Sequence, residues 1–244
     1  MSNAHFKNVM VAASLAGALT APSRADLLTN GSFESGLSGW TRADQVGSDG
    51  SFFSQSGASS PVNAFSVAAP ALGSGAAMTD STAGGSHVLY QDFVVPAGPI
   101  TLANVGFSLY FNNHATAYSS PATLDWASFN TAGALNLNQQ ARVDIITTTA
   151  NPFSVGAADV LQNLFRTTAA TPLVSGYNAS LVDITALLQA HAGETLRLRF
   201  AETDNVNFFN FGVDAVSINT VPSPSAAIVG FLGFAAAAGR RRRR

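Results

Sequence analysis

The chain has 244 residues, of which 47% are hydrophobic and only 11% charged, with a formal net charge of −2 and no cysteine. The length suits one large or two small domains, and 17 Phe supply core material. So few charges exclude a long coiled coil or a charged disordered chain, and the lack of Cys excludes a disulfide framework, a thiolate metal site and a Cys nucleophile. The cations are segregated: Lys7 and Arg24 lie near the start and Arg240 to Arg244 at the end, leaving five Arg and no Lys in between against all 14 acids. Such an acidic stretch repels phosphate backbones, so no nucleic-acid partner is expected.

The first segment reads as an export signal. Lys7 is its charged start, Val9 to Ala21 is apolar, and Ser23-Arg24-Ala25 puts small residues at −3 and −1 of a cut before Asp26. A signal peptide over residues 1–25 implies the Sec machinery and signal peptidase as partners.

The body, residues 26–219, shows no repeat of solenoid period and no internal linker. Gly, Ser and Pro mark loops over Gly47 to Pro61, with Ser54 to Pro61 of low complexity, and over Ser119 to Pro121. Strands are predicted over His87 to Val95, Ala103 to Phe111, Gln140 to Ile145, Thr195 to Phe200 and Phe208 to Ile218. Two short helices are predicted. Ala158 to Arg166 would align Val160, Leu161, Leu164 and Phe165; Asp183 to His191 would align Ile184, Leu187 and Leu188. The expected fold class is all-β, a two-sheet antiparallel β-sandwich of jelly-roll type with one or two short crossover helices.

Chemistry-bearing patterns are sparse. No Gly-x-Ser-x-Gly, His-Glu-x-x-His, P-loop or Gly-x-Gly-x-x-Gly occurs, and His87, His114 and His191 are far apart in sequence. No carboxylate pair stands out for glycoside hydrolysis, and the expectation is that the protein is not an enzyme. Trp40, after Gly-Leu-Ser-Gly, reads as a plug at a sandwich edge. Trp126 follows a Ser-Ser-Pro loop and is a candidate sugar-stacking platform, with core packing the other reading. Arg142 and Asp144 share one strand face, as do Arg197 and Arg199. They form either a polar groove for glycan hydroxyls or carboxylates, or a salt-bridged sheet face. Glu202, Asp204, Asn205, Asn207 and Asn210 read as a turn, with a calcium loop as the alternative.

The tail has three parts: an extended spacer Val221-Pro222-Ser223-Pro224-Ser225, an uncharged apolar run Ala226 to Gly239, and the cluster Arg240, Arg241, Arg242, Arg243, Arg244. As a helix the apolar run spans ~21 Å against a ~30 Å hydrocarbon core, so Arg snorkelling and local thinning would have to cover the difference. The Arg cluster would stay cytoplasmic and the body outside. This layout resembles the PEP-CTERM sorting tail of bacterial envelope proteins, with Ser223 standing where that family usually has Glu. The resemblance implies an exosortase-type membrane protease as partner, anchorage through a short transmembrane helix over residues 226–239 of the tail 220–244, and later passage to the cell surface or exterior.

The body opens on Leu27-Leu28-Thr29-Asn30-Gly31-Ser32-Phe33-Glu34 and closes on Asn210-Phe211-Gly212-Val213-Asp214-Ala215-Val216-Ser217-Ile218. The pair resembles the two ends of carbohydrate-binding-module-like, galactose-binding-like jelly rolls. That resemblance implies one structural calcium ion held by Glu34 and Asp214 with carbonyls near Ser32. Otherwise Glu34 accepts hydrogen bonds from a neighbouring turn and Asp214 caps a bulge. Together these features suggest an exported, non-catalytic envelope or matrix protein that binds exopolysaccharide. The alternatives are a secreted polysaccharide hydrolase or lyase and a purely structural, self-assembling surface protein.

Overall fold

A computed structural model describes residues 25–223. The expected signal segment up to Arg24, and Pro224, the apolar run and the Arg cluster of the tail, lie outside the described residues.

Among the described residues, eleven strands and one short helix follow in order: β1 (Ala25–Asp26), β2 (Thr41–Asp44), β3 (Ser51–Ser56), β4 (Gly75–Asp80), β5 (Gly85–Val94), β6 (Ile100–Asn113), β7 (Gln139–Thr147), β8 (Val160–Arg166), β9 (Asn178–Asp183), α1 (Thr185–Ala190), β10 (Thr195–Asp204) and β11 (Phe209–Pro222). One sheet runs β3-β4-β11-β6-β9, with β1 added to β11; the other runs β2-β5-β10-β7-β8. All pairings are antiparallel. If β4 to β11 are taken as eight successive strands, the first, eighth, third and sixth form one sheet. The second, seventh, fourth and fifth form the other. That order defines a jelly roll, two Greek keys wound together.

The core follows from period-two alternation. Leu196, Leu198 and Phe200 of β10 point between the sheets beside Leu89, Phe93, Val143 and Ile145. Phe107 of the facing sheet meets Phe200 edge-on with centroids 6.0 Å apart. Trp40 is the expected plug: it is buried, 5.3 Å from Phe33 and 5.9 Å from Phe200. The outer face of the second sheet is also covered. Val88 and Ala201 pack under Leu124, with Phe153 and Val155 alongside.

Two elements differ from expectation. Residues 160–166 form an edge strand, not a helix. Val143 pairs with Phe165 and Asp144 with Asn163; Ile145 pairs with Gln162 and Ile146 with Val160. Leu164 and Leu161 are therefore extra residues at two bulges, where two residues oppose one. A doubly bulged strand breaks the period of two, so its apolar residues take spacings of three and four that imitate a helix. The second difference is β3, which falls inside the expected loop Gly47 to Pro61. Phe52 anchors it in the core, 6.2 Å from Phe211. The second predicted helix is present as α1, with Ile184 and Leu188 buried.

The registers fix the two ends of the sandwich. Gly85, Asp204 and Gln139 lie at one end; Val94, Thr195, Ile100 and Pro222 lie at the other. Ala25 pairs with Thr220 and Asp26 with Asn219, so the described chain ends leave the sandwich side by side. Strand β11 continues past Asn219 to Pro222, and Ser223 N–H donates to the Pro99 carbonyl at 2.9 Å. The start of the spacer is thus part of the sheet.

Candidate functional site

Strands β7 and β10 are neighbours, and Asp144 pairs with Arg199 in register. Arg142 grips Asp144 with two bonds of 2.7 Å, from Nε and Nη2. Arg199 Nη2 donates to the same carboxylate, and Asn163 Nδ2 adds a bond of 2.8 Å. Burial works to raise the Asp144 carboxyl, but the Arg142 bonds and the charges of Arg199 and Arg142 outweigh it and hold it below the usual Asp range. Arg197 sits apart. It pairs with Asp92 at 2.6 and 3.0 Å and lies 3.9 Å over the Tyr90 ring. All four charged groups of the expected ladder are thus bonded within the protein.

Arg199 carries the site outward. Its Nη1 donates to the carbonyls of Pro152 and Ser154, both at 2.6 Å. These bonds fix the loop that holds Phe153 on the outer face. The opposite wall comes from residues 123–126 and from Gln45, just beyond β2. Gln45 Nε2 donates to Asp125 Oδ1 at 2.5 Å, and its Oε1 accepts from Trp126 N–H at 3.3 Å. Between the walls is an open groove of about 380 Å³ lined by Gln45, Thr123, Asp125, Asn151, Phe153 and Ser154. Thr123 and Asn151 turn their side-chain oxygens to the backbone N–H groups of Asp125 and Phe153, which stiffens both rims.

Trp126 borders this region but is no open platform. Its ring is half-buried, with Cζ2 against Gly47 and Cε3 against Gly84, and its Nε1 is buried without a partner. The sequence indicated Trp126 and Arg199 but missed Phe153, Asn151 and Gln45. No motif marks these three; they meet only because Arg199 ties down the 152–154 loop.

The Asn-Gly-Ser-Phe-Glu motif is a structural device. Asn30 Nδ2 bonds the carbonyls of Gly36 and Ser38, each at 2.9 Å, and its own carbonyl accepts from Trp40 Nε1 at 3.1 Å. Gly31 abuts the β11 bulge, where a Cβ would fall 1.8 Å from the Val216 oxygen. Glu34 and Asp214 converge on one segment. Glu34 Oε1 accepts from Ser74 and Gly75 N–H at 2.8 and 2.9 Å, and Asp214 Oδ2 accepts from Leu72 N–H at 2.8 Å. The Gly75 and Ser74 bonds lower the Glu34 carboxyl; burial, reinforced by Glu34, raises that of Asp214. Asp214 Oδ1 also accepts from Ala215 N–H at 2.6 Å, beside the β11 bulge, so both carboxylates are engaged by backbone donors; their oxygens are of the hard type that ligates calcium.

The sequence matches no family model. No curated protein matches it either. Solved structures are similar in chain course. The module TmCBM61 in complex with beta-1,4-galactotriose shares 13% identity, with 80% of this chain and 97% of that chain covered and a TM-score of 0.47. An apo-form cyclase from Fischerella sp. shares 13%, covering 83% and 99%, with a TM-score of 0.47. The cleaved adhesin domain of Lys-gingipain shares 15%, covering 82% and 99%, with a TM-score of 0.42. At this level of identity no site residue is carried over from any of them.

Proposed function

We propose that this jelly roll is a non-catalytic carbohydrate-binding module whose ligand lies in the groove between Gln45–Asp125 and Phe153. The observation that carries the reading is the groove's chemistry. Neutral donors and acceptors (Gln45, Thr123, Asn151, Ser154), one carboxylate and one aromatic ring line an open trough. Sugar hydroxyls exchange hydrogen bonds with such groups, and a sugar's C–H face packs on a ring. Asp125 is the one carboxylate among the described lining residues, whereas paired-carboxylate glycoside hydrolysis needs two. This supports binding over cleavage.

The reading extends to the chain ends. The protein is exported, held at the membrane by its tail, and presented at the surface or in the matrix, where exopolysaccharide is its ligand. Both described chain ends leave at the end opposite Gly85 and Asp204, so a tether there leaves the groove loops accessible. A calcium ion at Glu34 and Asp214, with the Ser32 carbonyl, would tie the first loop to the last strand. A glycan array tests the core of the proposal. Neutral polysaccharides should be retained by the full chain and retained less by Phe153→Ala; retention of none, or equal retention by the variant, would contradict it.

A further inference from the structure

A second group of side chains lies inside the sandwich, at the end away from the chain ends. His87 of β5 is in register with Asp44 of β2 on one side and Glu202 of β10 on the other; Asp204 stands two residues beyond Glu202, opposite Gly85. Period-two alternation puts Glu202 and Asp204 on the face that carries Leu198 and Phe200. A ring nitrogen of His87 and carboxylate oxygens of Glu202 and Asp204 all lie within 4.8 Å of one another. All three residues are at least 98% buried, with 1%, 1% and 2% exposure.

Two observations point beyond a structural cluster. First, His87 Nε2 and Glu202 Oε1 are buried with no hydrogen-bond partner. His87 Nδ1 is engaged by Asp44 Oδ1 at 2.8 Å, and Asp44 is itself held by Ser51 Oγ at 2.9 Å. A carboxylate on Nδ1 fixes the tautomer that bares the Nε2 lone pair, the arrangement by which proteins orient metal-binding imidazoles. Nε2 faces Gly85, where a Cβ would fall 2.6 Å away, and Gly85 N–H donates to Asp204 Oδ1 at 2.9 Å. Nε2 and Asp204 thus meet over the same glycine. Second, the charges do not balance. Asp44, Glu202 and Asp204 surround one imidazole, and among the described residues none of the three forms an ion pair with Lys or Arg. Buried carboxylates without a counter-charge are costly.

We infer that His87 Nε2, Glu202 and Asp204 form a binding site for a divalent transition-metal cation of the Zn²⁺ type. One imidazole and two carboxylates suit Zn²⁺ better than Ca²⁺, which takes oxygen ligands. Bonds of about 2.0–2.2 Å demand donor separations of roughly 3–4 Å, so small side-chain rotations close the set. Asp204 also lines a pocket of about 230 Å³ with Thr82, Gly84, Asn205 and Asn207. Three protein ligands would leave the fourth position of a tetrahedral site to water. This site is independent of the groove and of the Glu34–Asp214 pair.

The test uses the full chain without a polyhistidine tag, stripped with chelator and titrated with Zn²⁺, and with Co²⁺ as a spectroscopic probe. One Zn²⁺ per chain, a melting temperature that rises with Zn²⁺ and a Co²⁺ visible band are expected. Glu202→Gln and Asp204→Asn remove buried charge while keeping shape. Both should fold by circular dichroism and lose the Zn²⁺ response. If either fails to fold, Asp44→Asn decides, because loss of the outer partner should weaken Zn²⁺ about 10–100-fold. Absence of Zn²⁺ binding would overturn the inference. So would unchanged binding in the folded variants, or a response to Ca²⁺ alone that Glu34→Gln abolishes.

Discussion

Asp144 and Arg199 face each other across β7 and β10 with no solvent exposure, and the same guanidinium holds the carbonyls that set the Phe153 loop. A buried ion pair at the centre of the sheet thus reaches the groove on its outer surface. Breaking one partner of such a pair leaves the other charge unpaired. Asp144→Asn should destabilise the fold by about 3–5 kcal/mol in chemical denaturation. Arg199→Met should in addition weaken glycan binding, since Pro152 and Ser154 lose their donor. A change under about 1 kcal/mol for Asp144→Asn would show that the network contributes little.

Acid should unfold the protein through the carboxylates whose values are lowered in the fold. For Asp80, burial works to raise the value, but the bonds from Asn63 and Val62 N–H prevail and lower it; Asp144 is lowered likewise. For a lowered carboxyl the stabilisation is complete above the unfolded value of about 3.9 and is lost as pH falls through the folded value. Asp204, raised by burial to about 7, and Glu202 and Asp214, also raised, act in the opposite sense, since protonation relieves their burial cost as pH falls. Melting temperature should drop steeply below about pH 4, and Asp144→Asn should flatten the drop. A flat profile down to pH 2 would contradict this assignment.

Gly31 touches the last strand so closely that no side chain fits. Gly31→Ala should cost at least the ~1–3 kcal/mol of ordinary overpacking, because the obstructing atom is a backbone oxygen. Equilibrium denaturation reads it directly, and a neutral result would mean that the 30–38 loop is not seated on the bulge.

Calcium provides a fourth test. Ca²⁺ should raise the melting temperature of the full chain by mass action, and both Glu34→Gln and Asp214→Asn should remove the gain. No gain at millimolar Ca²⁺ would leave Glu34 and Asp214 as acceptors for the 72–75 segment alone.

The longer strands were legible in the sequence because alternation is a local signal: β7 and β10 show it in Gln140 to Ile145 and Thr195 to Phe200. Strand β8 was not legible, since its bulges at Leu161 and Leu164 replace the period of two with a helical one. Strand β3 was hidden because Phe52 and Phe53 are adjacent among Ser and Gln residues, which gives no apolar-polar alternation. Neither the groove nor the buried triad was legible, for a common reason. His87 and Glu202 are far apart in the chain and adjacent only through strand register, and Phe153 meets Gln45 only across a sheet face. The aromatic that did stand out, Trp126, is half-buried against Gly47 and Gly84 instead.

The central claim is that the Phe153 groove holds a neutral glycan. The most direct measurement is calorimetric titration of the full chain with neutral oligosaccharides, comparing wild type with Phe153→Ala and Asp125→Asn. The account predicts saturable binding that weakens by about 1 kcal/mol on loss of the ring and by about 1.5–3 kcal/mol on loss of the carboxylate's hydrogen bonds, with melting temperatures little changed. Equal affinity in all three proteins, or no binding to any neutral glycan, would contradict it.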